Sequence, residues 1–391
     1  MPAVQPSEAV SIAAGENTWA TTASAVLMGA IAPLVLGMAP VLVGAMVGKL
    51  GFSPSQAGLV ISAHLGGIGL IGLPMTLLVQ RPVWRKLLAV AIPILAALFV
   101  VAAFVTDPTL LAVTLFGAGL AGGVAVSITL PIMARSRAPT QAFAWWVVLQ
   151  LAMGAAGVAL LPFVVESSGL RGAFLILAAV MGAMALMLPF IPAGPGQSAG
   201  PDTASTTRLS KLDGFLGLAG LYAFYVAVGA VWTYFERIGD AAGLEAHWIA
   251  TTLSIATLFG VVGAGLAAFM PVKLGNLGPL EAGVVVLLAA LAIPFGPLTG
   301  GVYAGSAILF KVAWTFTLPF LLGALSKVDA SGRLLVLANI IIGLGLASGP
   351  AVAASLVRPG VFSGVLLLGV VGVLLCGGAF LLLSLRRQRQ A

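Results

Sequence analysis

The chain has 391 residues, of which 60% are hydrophobic and only 7% charged, with a formal net charge of +7. A soluble globular domain is excluded, because its surface would have too little charge to hold water. The single cysteine, Cys376, excludes an intrachain disulfide framework or a cysteine-based metal site.

Residues 1–21 contain Glu8 and Glu16 and no basic residue, so they read as a short tail rather than a secretory signal. Twelve apolar stretches follow, near 22–48, 55–80, 86–105, 109–133, 140–165, 171–191, 213–236, 248–270, 279–296, 299–324, 333–357 and 361–384. Each approaches the roughly 20 residues that a bilayer-spanning helix needs. Continuous apolarity at that length excludes a membrane β-barrel, whose strands alternate and are about half as long. The one polar, Gly- and Pro-rich stretch, 192–212, reads as a linker. It separates a first six-helix unit (22–191) from a second (213–384), and a basic tail follows at 385–391. The expected fold is therefore an all-α membrane protein of twelve transmembrane helices in two pseudo-symmetric bundles.

The basic residues report topology. With the N-terminus cytoplasmic, the inner side holds Arg81, Arg85, Lys86, Arg135, Arg137, Arg208, Lys211, Lys273, Lys327, Arg333, Arg386, Arg387 and Arg389. The outer side holds Lys49, Arg171, Arg237 and Arg358. Thirteen against four is the positive-inside bias and places both termini in the cytoplasm, as in a bacterial inner-membrane protein. The charge is thus no signal for nucleic acid.

The two halves carry matching fragments at an offset near 190 residues. Thr129-Leu130-Pro131 matches Thr317-Leu318-Pro319, Gly51 matches Gly243, and Gly157 matches Gly349. A duplicated unit suits alternating access, in which two halves rock around a site between them. The turn after the second helix reads Gln80-Arg81-Pro82-Val83-Trp84-Arg85-Lys86. With the six-plus-six count and the central linker, it resembles the major facilitator superfamily, which shows an Asp-Arg-x-Gly-Arg-Arg/Lys pattern there. Gln80 replaces the acid, Val83 the glycine and Trp84 an arginine. The resemblance implies a cytoplasmic gate at Arg81, Arg85 and Lys86. It also implies a central cavity lined by the first, fourth, seventh and tenth helices. Val113 stands where drug antiporters of the family carry an arginine, and the fifth helix lacks their Gly-Pro pair.

Lys311 lies about a dozen residues from either end of the tenth helix, or roughly 18 Å at 1.5 Å per residue, beyond the reach of its side chain. An ammonium at that depth costs about 3 kcal/mol or more and marks a functional site. All four tyrosines fall in the seventh and tenth helices, and Tyr222, Tyr225, Trp232 and Glu236 share one helical face. The expected solute site is Lys311 with Tyr222, Tyr225, Tyr303, Trp314 and Trp232. Glu236 and His64 are the candidates for carrying a coupling proton.

No phosphate-binding Gly-x-x-x-x-Gly-Lys-Ser/Thr loop is present. Neither a histidine and carboxylate cluster nor a paired aspartate for an intramembrane enzyme is present either. The reading is a cofactor-free, monomeric secondary transporter of a small organic solute, an anion that pairs with Lys311, driven by a proton, another ion, the solute's own gradient or exchange. An exporter of amphipathic compounds is the alternative, and a non-transporting receptor or a channel a more distant one. A reporter protein fused after Arg387 is expected on the cytoplasmic side. Activity of a periplasm-dependent reporter at that position would reverse the topology.

Overall fold

The computed structural model describes residues 18–52, 54–195, 211–329, 332–357 and 361–388. Most of the 192–212 linker, the greater part of the 1–21 tail, Arg358 and residues 389–391 fall outside these. The first half is built from α1 (Trp19–Ile31), α2 (Leu34–Leu50), α3 (Pro54–Leu70), α4 (Gly72–Leu78), α5 (Trp84–Ala102), α6 (Pro108–Ala134) and α7 (Pro139–Ala183). The second half holds α8 (Lys211–Ala241), α9 (Ala246–Phe269), α10 (Leu277–Ala292), α11 (Gly300–Val328), α12 (Arg333–Ala354) and α13 (Ser363–Gln388).

These thirteen helices make twelve crossings. The first is α1 plus α2, interrupted at Pro33, whose ring removes an N–H from the ladder and which itself leaves helical geometry at φ −92° and ψ 19°. The second is α3 plus α4, broken at Ile71. The apolar stretch Pro139–Phe190 has 52 residues, far more than one crossing needs. It folds back at Gly169, whose φ of 64° lies in the left-handed region that glycine alone enters without strain. The fifth and sixth crossings are thus joined by one glycine.

The duplication is visible in local geometry. Gly51 ends α2 with φ 70°, and its counterpart Gly243 follows α8 with φ 76°. Gly157 of α7 faces Met38 of α2, and Gly349 of α12 faces the Val226 carbonyl of α8. The first and fifth crossings therefore pack as the seventh and eleventh do.

Side-chain burial alone does not hold helices together in lipid, so close backbone approach at small residues takes over. A Cβ on Gly119 of α6 would collide with the His64 carbonyl of α3, and one on Gly67 of α3 with the Phe116 carbonyl of α6. In the second half a Cβ on Gly263 of α9 would meet the Val312 carbonyl of α11.

One membrane face carries residue 18, both sides of the linker and the end of α13; we term it the basic face, and its opposite the far face. Among the described residues, the contacts between halves lie from the basic face to mid-depth. Thr140 Oγ1 donates to Asn276 Oδ1 at 2.8 Å, Gln141 Nε2 to the Met270 carbonyl at 3.2 Å, and Arg333 Nε to the Thr76 carbonyl at 3.2 Å. Trp145 meets Phe269 edge-on at 5.3 Å, and Gly332 sits against Pro131. The halves are closed on each other at the basic face.

Gly67→Val should lower thermal stability in detergent by about 1–3 kcal/mol, since the added atoms meet backbone on α6. The adjacent Gly66→Val should be neutral, because nothing lies within 4 Å of its Cβ position. Equal melting temperatures for the two variants would refute the helix contact.

Candidate functional site

Lys311 sits on α11 and is 8% exposed. Its Nζ lies 4.3 Å from the ring centroid of Trp232 on α8 and 4.1 Å from that of Trp314 one turn along α11. Phe310 stacks on Trp232 at 6.2 Å, and Tyr225 meets Trp314 edge-on at 6.4 Å. Among the described residues no carboxylate lies within 4 Å of the ammonium. The charge rests between two indole faces, each worth about 2 kcal/mol when water is excluded. That offsets part of a desolvation penalty of several kcal/mol.

Small and polar residues seat the lysine. Gly260 of α9 packs beside the lysine stem at the junction of the halves: a Cβ there would lie 3.4 Å from Lys311 Cγ and 3.5 Å from Leu151 of the other half, ordinary contact distances. Thr315 Oγ1 donates to the Gly260 carbonyl at 2.7 Å and approaches the Lys311 carbonyl at 3.0 Å, tying α9 to α11 beside the charge.

The structure thus brings Lys311, Trp232, Trp314 and Tyr225 together. Tyr303 belongs to a different environment: it is fully buried, and its hydroxyl donates to the Phe235 carbonyl at 3.0 Å, two helical turns toward the far face. The Tyr222 hydroxyl lies 2.9 Å from Ser348 Oγ on α12. Glu236 is exposed, one turn beyond Trp232 at the far end of α8. His64 is enclosed within the first half, its Nδ1 3.0 Å from the Leu115 carbonyl and its ring edge against Phe99.

The basic turn contacts its own half. Arg85 Nε donates to the Ile191 carbonyl at 2.8 Å, and the Trp84 amide to the Ala193 carbonyl at 2.8 Å, so the turn anchors the chain leading into the linker. Arg81 and Lys86 are exposed. Trp84, where the family pattern has an arginine, is buried and offers its ring to the Arg135 guanidinium at 5.3 Å. Arg135 lies just past the end of α6. Burial pushes its pKa down, while the Asp329 carboxylate of the other half pulls it up; a guanidinium remains charged under both influences. Asp329 also accepts the Leu334 amide at 2.7 Å at the start of α12.

Sequence reasoning missed Thr140, Gln141 and Asn276 as closing residues. Polar side chains at helix starts look like ordinary caps, and only the fold shows that these face the other half. Phe310 carried no signal separating it from core.

Two bundles closed at one face around a mid-depth cation define an alternating-access carrier. The sequence profile of the Major Facilitator Superfamily matches residues 25–350, and the chain belongs to that family of secondary transporters. No curated protein sequence matches. Among solved structures the fold is similar to FucP, the E. coli fucose:proton symporter, in its outward conformation. That match has TM-score 0.76 and 15% identity and covers 94% of this chain and 99% of FucP. The human organic anion transporter MFSD10 is similar with TM-score 0.70 and 17% identity, covering 93% and 98% of the two chains. A bacterial homologue of the iron transporter ferroportin, outward-facing, gives TM-score 0.71 and 12% identity over 93% and 99%.

Thr140→Val removes the donor to Asn276. A hydrogen bond worth about 1 kcal/mol makes this a roughly fivefold shift away from basic-face closure. Spin-label distances between the halves at that face should show the longer population rising, and an unchanged distribution would remove Thr140 from the gate.

Proposed function

We propose that this transporter carries a small organic anion, a carboxylate, and that Lys311 is its receptor. The observation that carries the proposal is the Lys311 ammonium held between Trp232 and Trp314 with no carboxylate within 4 Å among the described residues. A solute carboxylate supplies the missing counter-charge, and the indoles and Phe310 pack against its carbon skeleton. Of the proposed tyrosine donors, Tyr225 is nearest in arrangement, beside Trp314; Tyr303 and Tyr222 hold other partners in this state. That the similarly folded MFSD10 transports organic anions supports the chemistry without naming the solute.

The solute enters from the far face, since the halves are closed at the basic one. The thirteen-to-four distribution of cations supports the basic face as the cytoplasmic one in a plasma membrane. Proton coupling is supported better at Glu236 than at His64. Glu236 is exposed on the same helix as Trp232, whereas His64 is enclosed among α3, α5 and α6. The ring cluster also suits an amphipathic anion leaving the cell, the second reading.

The test is a thermal-shift screen of purified protein against carboxylates, sugars and lipophilic cations, followed by uptake and counterflow in proteoliposomes. Carboxylates should stabilise the protein, and Lys311→Ala should abolish that shift and transport while leaving the melting temperature without solute unchanged or higher. Lys311→Arg should bind weakly, its planar fork misplaced between the indoles. Glu236→Gln should remove pH-driven accumulation and spare exchange. Normal carboxylate transport by Lys311→Ala, or a preference for cations, would end the anion reading.

A further inference from the structure

At the basic face a second cavity of about 360 Å³ opens between α10, α11 and α13. It is apart from the Lys311 site, and its wall includes Leu280 and Phe380. Its polar lining is Lys327 of α11, Ser384 and Arg387 of α13, and Asn276, the residue preceding α10.

Four features concentrate positive potential there. Among the described residues neither Lys327 nor Arg387 is paired with a carboxylate; the neighbouring Arg386 is the one committed to Asp213, at 2.9 Å. The N-terminus of the 16-residue α10 opens on the cavity without a side-chain cap, so its first amides and the positive end of its dipole remain available. Asn276 Nδ2 is buried and has no hydrogen-bond partner. Glu281, the carboxylate of α10, lies a turn deeper, its Oε2 3.3 Å from where a Cβ on Gly377 would stand. Lysine and arginine in the last turns of α11 and α13 suit those helices' own dipoles. The same cations crowded against the positive end of a third helix, beside an unpartnered amide, call for an anion.

We infer that this cavity binds the phosphate headgroup of an anionic phospholipid from the basic-face leaflet, and that the bound lipid favours basic-face closure. Basic pockets between transmembrane helices suit such headgroups, and helix N-termini suit phosphate. A lipid is the fitting source because the apolar wall continues along α10 and α13, which expose apolar residues such as Val285, Leu374, Leu375 and Leu382. The link to conformation is Asn276. Asn276 lines the cavity, and its Oδ1 accepts the Thr140 hydroxyl of the other half. A headgroup that orients the amide holds the acceptor in place for Thr140.

The test starts with lipid retention. Full-length protein is extracted from mixed phosphatidylglycerol and phosphatidylcholine vesicles, and retained lipid is measured by native mass spectrometry. Wild type should keep phosphatidylglycerol preferentially. At about 1 kcal/mol per cation, Lys327→Gln with Arg387→Gln should reduce that preference roughly thirtyfold. Lys327→Arg with Arg387→Lys should preserve it and shows that loss is not misfolding. Excess inorganic phosphate should leave the lipid bound; displacement by phosphate alone would make the site one for a free anion and overturn the lipid assignment. Equal retention of both lipids, or an unchanged preference in the double glutamine variant, would overturn the site. The conformational link is read from disulfide formation between Gln141→Cys and Met270→Cys, which should be faster in phosphatidylglycerol vesicles than in phosphatidylcholine. Equal rates in the two vesicle types would overturn that link. None of these readouts depends on the identity of the solute.

Discussion

The structure depends on backbone meeting backbone where side chains are absent. In hydrocarbon the apolar surface of one helix gains little by leaving lipid for another, so cohesion comes from short-range packing. Gly37 against Gly154, Gly67 and Gly119 across α3 and α6, and Gly263 against α11 bring helix axes close enough for that packing. Such contacts are rigid within a half. Between halves, single hydrogen bonds at Thr140, Gln141 and Arg333, each of modest net worth, join side-chain contacts such as Trp145 on Phe269 and Gly332 on Pro131. Strong seams inside each bundle and weak ones between bundles are what a rocking carrier requires.

The Lys311 site uses the same devices for a different end. Gly260 packs beside the lysine stem, and Thr315 satisfies its own hydroxyl on the Gly260 carbonyl, leaving no stray donor next to the ammonium. The two indoles then face a charge that no described carboxylate neutralises. Among the described residues the ammonium is left without a carboxylate partner.

The fold was largely legible from sequence because crossing a bilayer imposes a length and a composition that few other constraints imitate. The twelve stretches, the halves and the basic side followed from that alone. Where the reading differed, a local feature was responsible. The first crossing divides because Pro33 cannot continue the hydrogen-bond ladder, and the fifth and sixth need no loop because Gly169 can take a left-handed turn. The candidate site was legible to the extent that charge is rare: Lys311 stood out, and Trp232 and Trp314 followed from helical spacing. Tyr303 shared that spacing, yet its hydroxyl found the Phe235 carbonyl, since one residue's rotation about a helix axis exceeds what spacing resolves. The closing residues were invisible, because a threonine or asparagine at a helix end looks the same whether it faces water or the other half.

The position of Lys311 over two indoles also gives the protein an optical property. Of its seven tryptophans, two lie within about 4 Å of a single positive charge, and the field of that charge acts directly on their excited-state dipoles. A counter-ion arriving at the ammonium screens the field at both rings at once. On the proposed reading of Lys311 as the solute's receptor, the emission colour of these two indoles would follow the electrostatic state of the cavity and so report its occupancy without any label.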